Sequence, residues 1–142
     1  MTTHPSMKAT DAFAELGRIH LGENDMTQVL SRISELAKRT IPGADEVSVS
    51  LVQADNATTA AFTGELALNL DERQYETGRG PCLAAAAGGE TVLIPEMAVE
   101  DRWPDYSPEA LRQGALSSVS VGIPVQQAVS GALNIYSTRV KA

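Results

Sequence analysis

The residues of this chain best suited to chemistry gather in one stretch, Tyr75-Glu76-Thr77-Gly78-Arg79-Gly80-Pro81-Cys82, which runs directly into the apolar segment Leu83 to Ala87. Two glycines and a proline make the first part a loop, and proline is well placed in the first turn of a helix, where its missing N–H has no partner to lose. Cys82, the only cysteine, is therefore expected at a helix start, where the macrodipole and Arg79 favour a thiolate. Against this, a free cysteine is most often a small apolar filler. A helix end near the surface is worth ~0.3–1 kcal/mol, less than one pKa unit, and Glu76 opposes it. Burial must decide, and the flanking Leu83 and alanines predict a buried, protonated thiol that reacts slowly.

Around this stretch the sequence offers a modest set of ligand-binding candidates. Tyr75, Trp103 and Tyr106 supply most of the aromatic surface, able to stack on a flat ligand while Arg79 pairs with an anionic group. Ser118 and Ser120 share one face of a strand whose other face carries Val119 and Val121, and their hydroxyls either line a polar cavity or face water. A catalytic set is harder to assemble. A cysteine nucleophile needs a base within hydrogen-bond reach, and both histidines, His4 and His20, lie far upstream. Asp71-Glu72 and Glu100-Asp101 are adjacent pairs, which read as solvated turns rather than acid/base couples. Gly78-x-Gly80 is too short for a phosphate cradle. No second ligand is spaced to help His20 hold a metal. The expectation is a protein that is not an enzyme and carries no metal.

Composition narrows the partners. The chain has 142 residues, 43% hydrophobic and 20% charged, with a net charge of −7, which describes one ordinary globular domain. From Ile41 to Ala110 thirteen acidic residues face only Arg73, Arg79 and Arg102. Such a surface repels phosphate backbones, so no nucleic acid is expected to bind this domain. No apolar run approaches the ~20 residues needed to span a bilayer, and the polar N-terminus lacks a signal-peptide layout. No membrane partner and a cytoplasmic location are the expectations. One cysteine forms no internal disulfide.

The elements that must position these residues follow from periodicity. Met26, Val29, Leu30, Ile33, Leu36 and Ala37 recur at offsets of three and four, predicting an amphipathic helix from Asp25 to Arg39. Asp25 and Gln28 suggest its cap, and Ile41-Pro42-Gly43 stops it. Phe13, Leu16, Ile19 and His20 mark a shorter helix broken at Gly22, within an N-terminal segment over 1–24. From Asp45 the period becomes two: Val47, Val49 and Leu51 alternate with serines. A second strand is expected over Ala57 to Thr63, a brief edge strand over Thr91 to Ile94, and two longer strands over Leu116 to Ile123 and Ala128 to Tyr136. Short helices around Leu83 to Ala87 and Ser107 to Gln113 fall in the crossovers. An antiparallel sheet with helices on one side and long crossovers on the other is an α+β domain with room for a pocket.

Five motifs in order then carry a resemblance: Gly78-Arg79-Gly80-Pro81-Cys82; an apolar strand ending Ile94-Pro95; Asp101-Arg102-Trp103-Pro104; Ser117-Ser118-Val119-Ser120-Val121-Gly122-Ile123-Pro124; and Gly131-Ala132-Leu133-Asn134-Ile135-Tyr136-Ser137. From about Asp25 onward the chain resembles the GAF domain, and more narrowly the actinobacterial GAF domains that precede an RNA-binding ANTAR output domain. The resemblance implies a PAS-like sensor with sheet order 2-1-5-4-3 and a pocket under the crossovers, occupying 25–142. The family's usual C-terminal helix is not matched after Ser137, so the N-terminal helix is expected to find its partner in a homodimer. Cys82 is followed by Leu83 rather than the histidine of bilin-binding members. Neither histidine is placed to ligate haem, and the cyclic-nucleotide pattern is not matched. The implied function is a regulatory sensor of signalling or transcription, binding an unknown small molecule or reading redox state through dimerisation. The alternatives are a ligand-free dimerisation module and a free methionine sulfoxide reductase. The last disagrees with the single cysteine, which cannot resolve its own sulfenic acid internally.

Overall fold

The helix that the apolar stripe predicts forms from Glu23 to Thr40 (α1), with Lys38 and Arg39 in its last turn, where cations complement the negative end of the macrodipole. The computed structural model describes residues 23–54, 56–126 and 129–141; the expected shorter helix around Phe13 to His20 lies outside them. Five strands follow: β1 (Glu46–Gln53), β2 (Asn56–Phe62), β3 (Thr91–Ile94), β4 (Ser117–Gln126) and β5 (Val129–Ser137). They form one antiparallel sheet in the order β2-β1-β5-β4-β3, an α+β architecture in the expected order. The crossovers carry α2 (Glu65–Thr77), α3 (Pro81–Gly88), a 3₁₀ turn (Met97–Val99) and α4 (Ser107–Arg112).

Alternation along the strands divides the interior into two unlike layers. Val49, Ile123 and Val125 pack with Leu30 of α1 in an apolar layer, joined by Val121 and Leu133. Ser48 and Ser50 of β1, Ser118 and Ser120 of β4, and Asn134 and Tyr136 of β5 face the crossovers, and all are buried. Register aligns them, since Ser48 and Ser120 both pair with Asn134, and Ser118 pairs with Tyr136. A bulge in the β1–β2 ladder sets Val49 opposite Ala61 but Ser50 opposite Thr59. The extra residue, Ala60, turns Thr59 onto the same face as Ser50.

The helix α2 was not expected from the sequence. Its buried residues, Ala67, Leu70, Asp71 and Gln74, have true helical spacing, but half of them are polar, and hydrophobic periodicity registers only the apolar half. Asp71-Glu72 is accordingly no solvated turn: Asp71 is fully buried. Of the Glu100-Asp101 pair, Asp101 is exposed and Glu100 is half-buried and held by Arg102 at 2.8 and 2.9 Å. Strand β4 runs three residues beyond the expected Ile123, through Pro124, whose missing N–H sits next to a register shift in the β4–β5 ladder and so costs little.

Candidate functional site

Two helices meet at right chemistry in the loop Gly78–Gly80. Gly78, at φ 73°, ends α2 in the left-handed conformation, and Pro81 opens α3 as its first residue. Between them Gly80 leaves room for Gln74: a Cβ there would stand 2.2 Å from Gln74 Oε1. That oxygen accepts the Cys82 N–H at 2.9 Å, so a side chain of α2 satisfies a free donor of the first turn of α3. Gly122 of β4 serves a similar end, because a Cβ there would lie 2.1 Å from the Ala85 carbonyl oxygen, and α3 thus rests directly on the sheet.

Over this junction lies an open groove of about 760 Å³, lined by the β1–β2 end (Val52, Ala54, Asn56, Ala57), by Tyr75, Gly78, Arg79 and Gly80, by Leu83, Ala84 and Ala87 of α3, and by Trp103. Its size lies within the range of small-molecule sites. Of the expected site residues, Tyr75, Arg79 and Trp103 come together here. Arg79 is exposed, while Trp103 packs against two core clusters and carries the Arg102 guanidinium 4.7 Å from its ring centroid. Arg102 also donates to the Leu93 carbonyl at 2.8 Å, which pins the Trp103 loop to β3. Cys82 lies beneath the groove, fully buried with Ala85, Ala86, Val92 and Ala132. Tyr106, Ser118 and Ser120 are buried away from the groove lining.

Burial pushes the Cys82 thiol up, with Asp71 adding to the effect and the Ser50 hydroxyl opposing it. The thiol is buried, as expected, and that burial favours its protonated form. Burial likewise raises Tyr75.

The sequence reading missed a chain of hydroxyls behind the groove. Asp71 accepts hydrogen bonds from the Tyr136 hydroxyl at Oδ1 and from Thr59 at Oδ2, the latter at 2.7 Å. Thr59 Oγ1 is 2.8 Å from the Tyr75 hydroxyl, which is 2.6 Å from Ser50 Oγ. Ser50 in turn accepts from Asn134 Nδ2 at 3.0 Å and lies 3.8 Å from Cys82 Sγ. Burial raises the Asp71 carboxyl to about 6, despite the Ser48, Tyr136 and Thr59 hydroxyls that favour its ionised form. Only the bulge that turned Thr59, invisible in the sequence, makes this chain continuous. Among the described residues no cluster of three or more His, Cys, Asp or Glu is placed to hold a metal, and no helix is long and apolar enough to cross a membrane.

No family model matches the chain, and no curated protein matches it in sequence. Solved structures do. A GAF domain region of a membrane protein from Geobacter sulfurreducens superposes with a TM-score of 0.66 at 14% identity, over 88% of this chain and 83% of that one. The type II free methionine-R-sulfoxide reductase of Thermoplasma acidophilum has a TM-score of 0.63 at 17% identity, over 84% of this chain and 79% of that one. The free methionine-R-sulfoxide reductase of Neisseria meningitidis has a TM-score of 0.60 at 20% identity, over 99% and 82%. Two of these three are enzymes, which corrects the expectation that this chain is not one: the scaffold carries catalysis in proteins of this architecture, and the want of a familiar catalytic set is no argument against it. At these identities the likeness shows the fold, and the fold is GAF-like.

Proposed function

We infer that this domain is a sensor module that binds a small molecule with a flat portion and an anionic group. The observation that carries the reading is the groove itself, where Trp103, Tyr75 and the exposed Arg79 converge on about 760 Å³. Aromatic faces stack on planar ligands, and a guanidinium pairs with carboxylate or phosphate. Occupancy would be transmitted through a homodimer built on α1 to a separate output domain, for which the narrower resemblance suggests an RNA-binding ANTAR domain. Calorimetric titration with a panel of aromatic carboxylates and phosphates tests the reading. Binding that weakens at least tenfold in Arg79→Ala and in Trp103→Ala supports it, and binding indifferent to both changes defeats it.

A second reading is turnover of free methionine sulfoxide, favoured by the reductases among the matching structures and by a thiol lying directly under the groove. With one cysteine, an external thiol must complete the cycle. Sulfoxide consumption supported by a dithiol reductant and lost in Cys82→Ser would establish it.

A further inference from the structure

Among the described residues, Tyr75 alone both lines the groove and belongs to the hydroxyl chain that ends on Asp71. We propose that Tyr75 couples the groove to Asp71, so that filling the groove and releasing a proton from Asp71 are one linked equilibrium. The inference rests on the ligand-binding reading above and adds its regulation by pH.

Donor counting shows how the coupling works. Each hydroxyl has one hydrogen. With Asp71 ionised, Thr59 donates to Oδ2, Tyr75 must then donate to Thr59, and Ser50 donates to Tyr75. With a proton on Oδ2, Asp71 donates to Thr59, and every hydroxyl along the chain reverses. In both states the Tyr75 hydroxyl is held from two sides, at 2.6 and 2.8 Å. A ligand that draws the ring aside breaks both contacts and opens Thr59 and the carboxyl behind it to water.

Rehydration favours the carboxylate, because burial is the largest influence raising this group. The other titratable groups facing Asp71 are Tyr136 on β5, Tyr106 at the start of α4, Cys82 on α3, and Tyr75 and Glu72 on its own helix. None of these is a cation that would hold the carboxylate in place once buried. Opening Tyr75 therefore lowers the Asp71 pKa, binding releases a proton, and by reciprocity affinity rises with pH. If the carboxyl moves from about 6 to its ordinary value of 3.8, affinity falls about tenfold between about pH 7 and about pH 5, the upper limit of the effect.

The probe is anilinonaphthalene sulfonate, a flat aromatic anion whose own charge does not change in this range, titrated by fluorescence across pH. Wild type is expected to bind it several-fold to tenfold more tightly at about pH 7 than at about pH 5. Asp71→Asn, and independently Tyr75→Phe, which keeps the ring and removes the hydroxyl, should bind with a flat profile. The comparison also removes any contribution from histidine side chains, which as a class change charge in this range. Arg79→Ala should weaken binding at every pH and preserve the slope. If Arg79→Ala leaves the affinity untouched, the groove reading fails. If Arg79→Ala weakens binding but wild type and Asp71→Asn share one profile, or affinity rises toward acid, the coupling through Tyr75 is overturned and the groove reading stands.

Discussion

A buried carboxyl with no cation beside it among the described residues makes Asp71 the residue with the clearest thermodynamic signature. Its folded pKa, about 6, lies above the ordinary value of 3.8. The neutral form is therefore the one the fold prefers: the contribution is fully present below about pH 3.8 and is lost as pH rises through about 6. Two pKa units correspond to about 3 kcal/mol. Chemical denaturation of the wild type should show stability declining by up to that amount from about pH 4 to about pH 7, and Asp71→Asn should abolish the decline. Cys82 gives a second prediction at this scale. Buried on the inner face of α3 and with its thiol pushed up by burial, it should react with iodoacetamide at neutral pH at least a hundredfold more slowly than a free thiol, since only the thiolate attacks and access requires local opening. Labelling of the native protein against the denatured chain measures this.

Among the elements, the contact of α3 with α2 and with β4 depends on two missing side chains. Gly122→Ala places a methyl group against backbone on both sides, 2.1 Å from the Ala85 oxygen and 2.9 Å from the Glu90 nitrogen, which no rotamer relieves. A loss on the order of 1–3 kcal/mol is expected, read as a lowered thermal midpoint. Gly80→Ala meets a movable side chain instead, Gln74. It should displace Gln74 from the Cys82 N–H, destabilise by about 1–3 kcal/mol through the lost buried bond, and speed alkylation of Cys82. Equal labelling rates in Gly80→Ala and wild type would show that Gln74 does not secure this helix start. Legibility differed sharply between elements. Helix α1 and strands β1 to β3 lay within a few residues of expectation because each carries apolar residues at its own period, whereas α2 buries Asp71 and Gln74 and so hides its own period.

Across the whole molecule, acidity and one incompletely covered helix set the expected associations. Leu30 is buried by the chain's own sheet, but Leu36 of α1 is 54% exposed. Pairing of two copies through α1 would cover it, and sedimentation equilibrium should show a dimer that Leu36→Glu weakens at least tenfold. A monomer at all concentrations would end that expectation. The net charge of −7 predicts no retention of duplex DNA or RNA by this domain at physiological salt, which an electrophoretic mobility assay checks.

What residue order alone determined was the fold class, the strand order through its resemblance, the start of α3 at Pro81 and the burial of Cys82, because each depends on local patterns: alternation, a proline, a run of alanines. The convergence of Tyr75, Arg79 and Trp103 on one groove was legible as a set of residue types but not as a place, since Trp103 reaches it across more than twenty residues of chain, on a loop that Arg102 ties to β3. The hydroxyl chain from Ser50 to Asp71 was decided by tertiary structure alone. It joins β1, β2 and α2 through single side chains, and its continuity depends on one extra residue in a strand. A polar group in a core is recognised only by the partners that satisfy it, and partners so far apart in sequence are brought together only by folding.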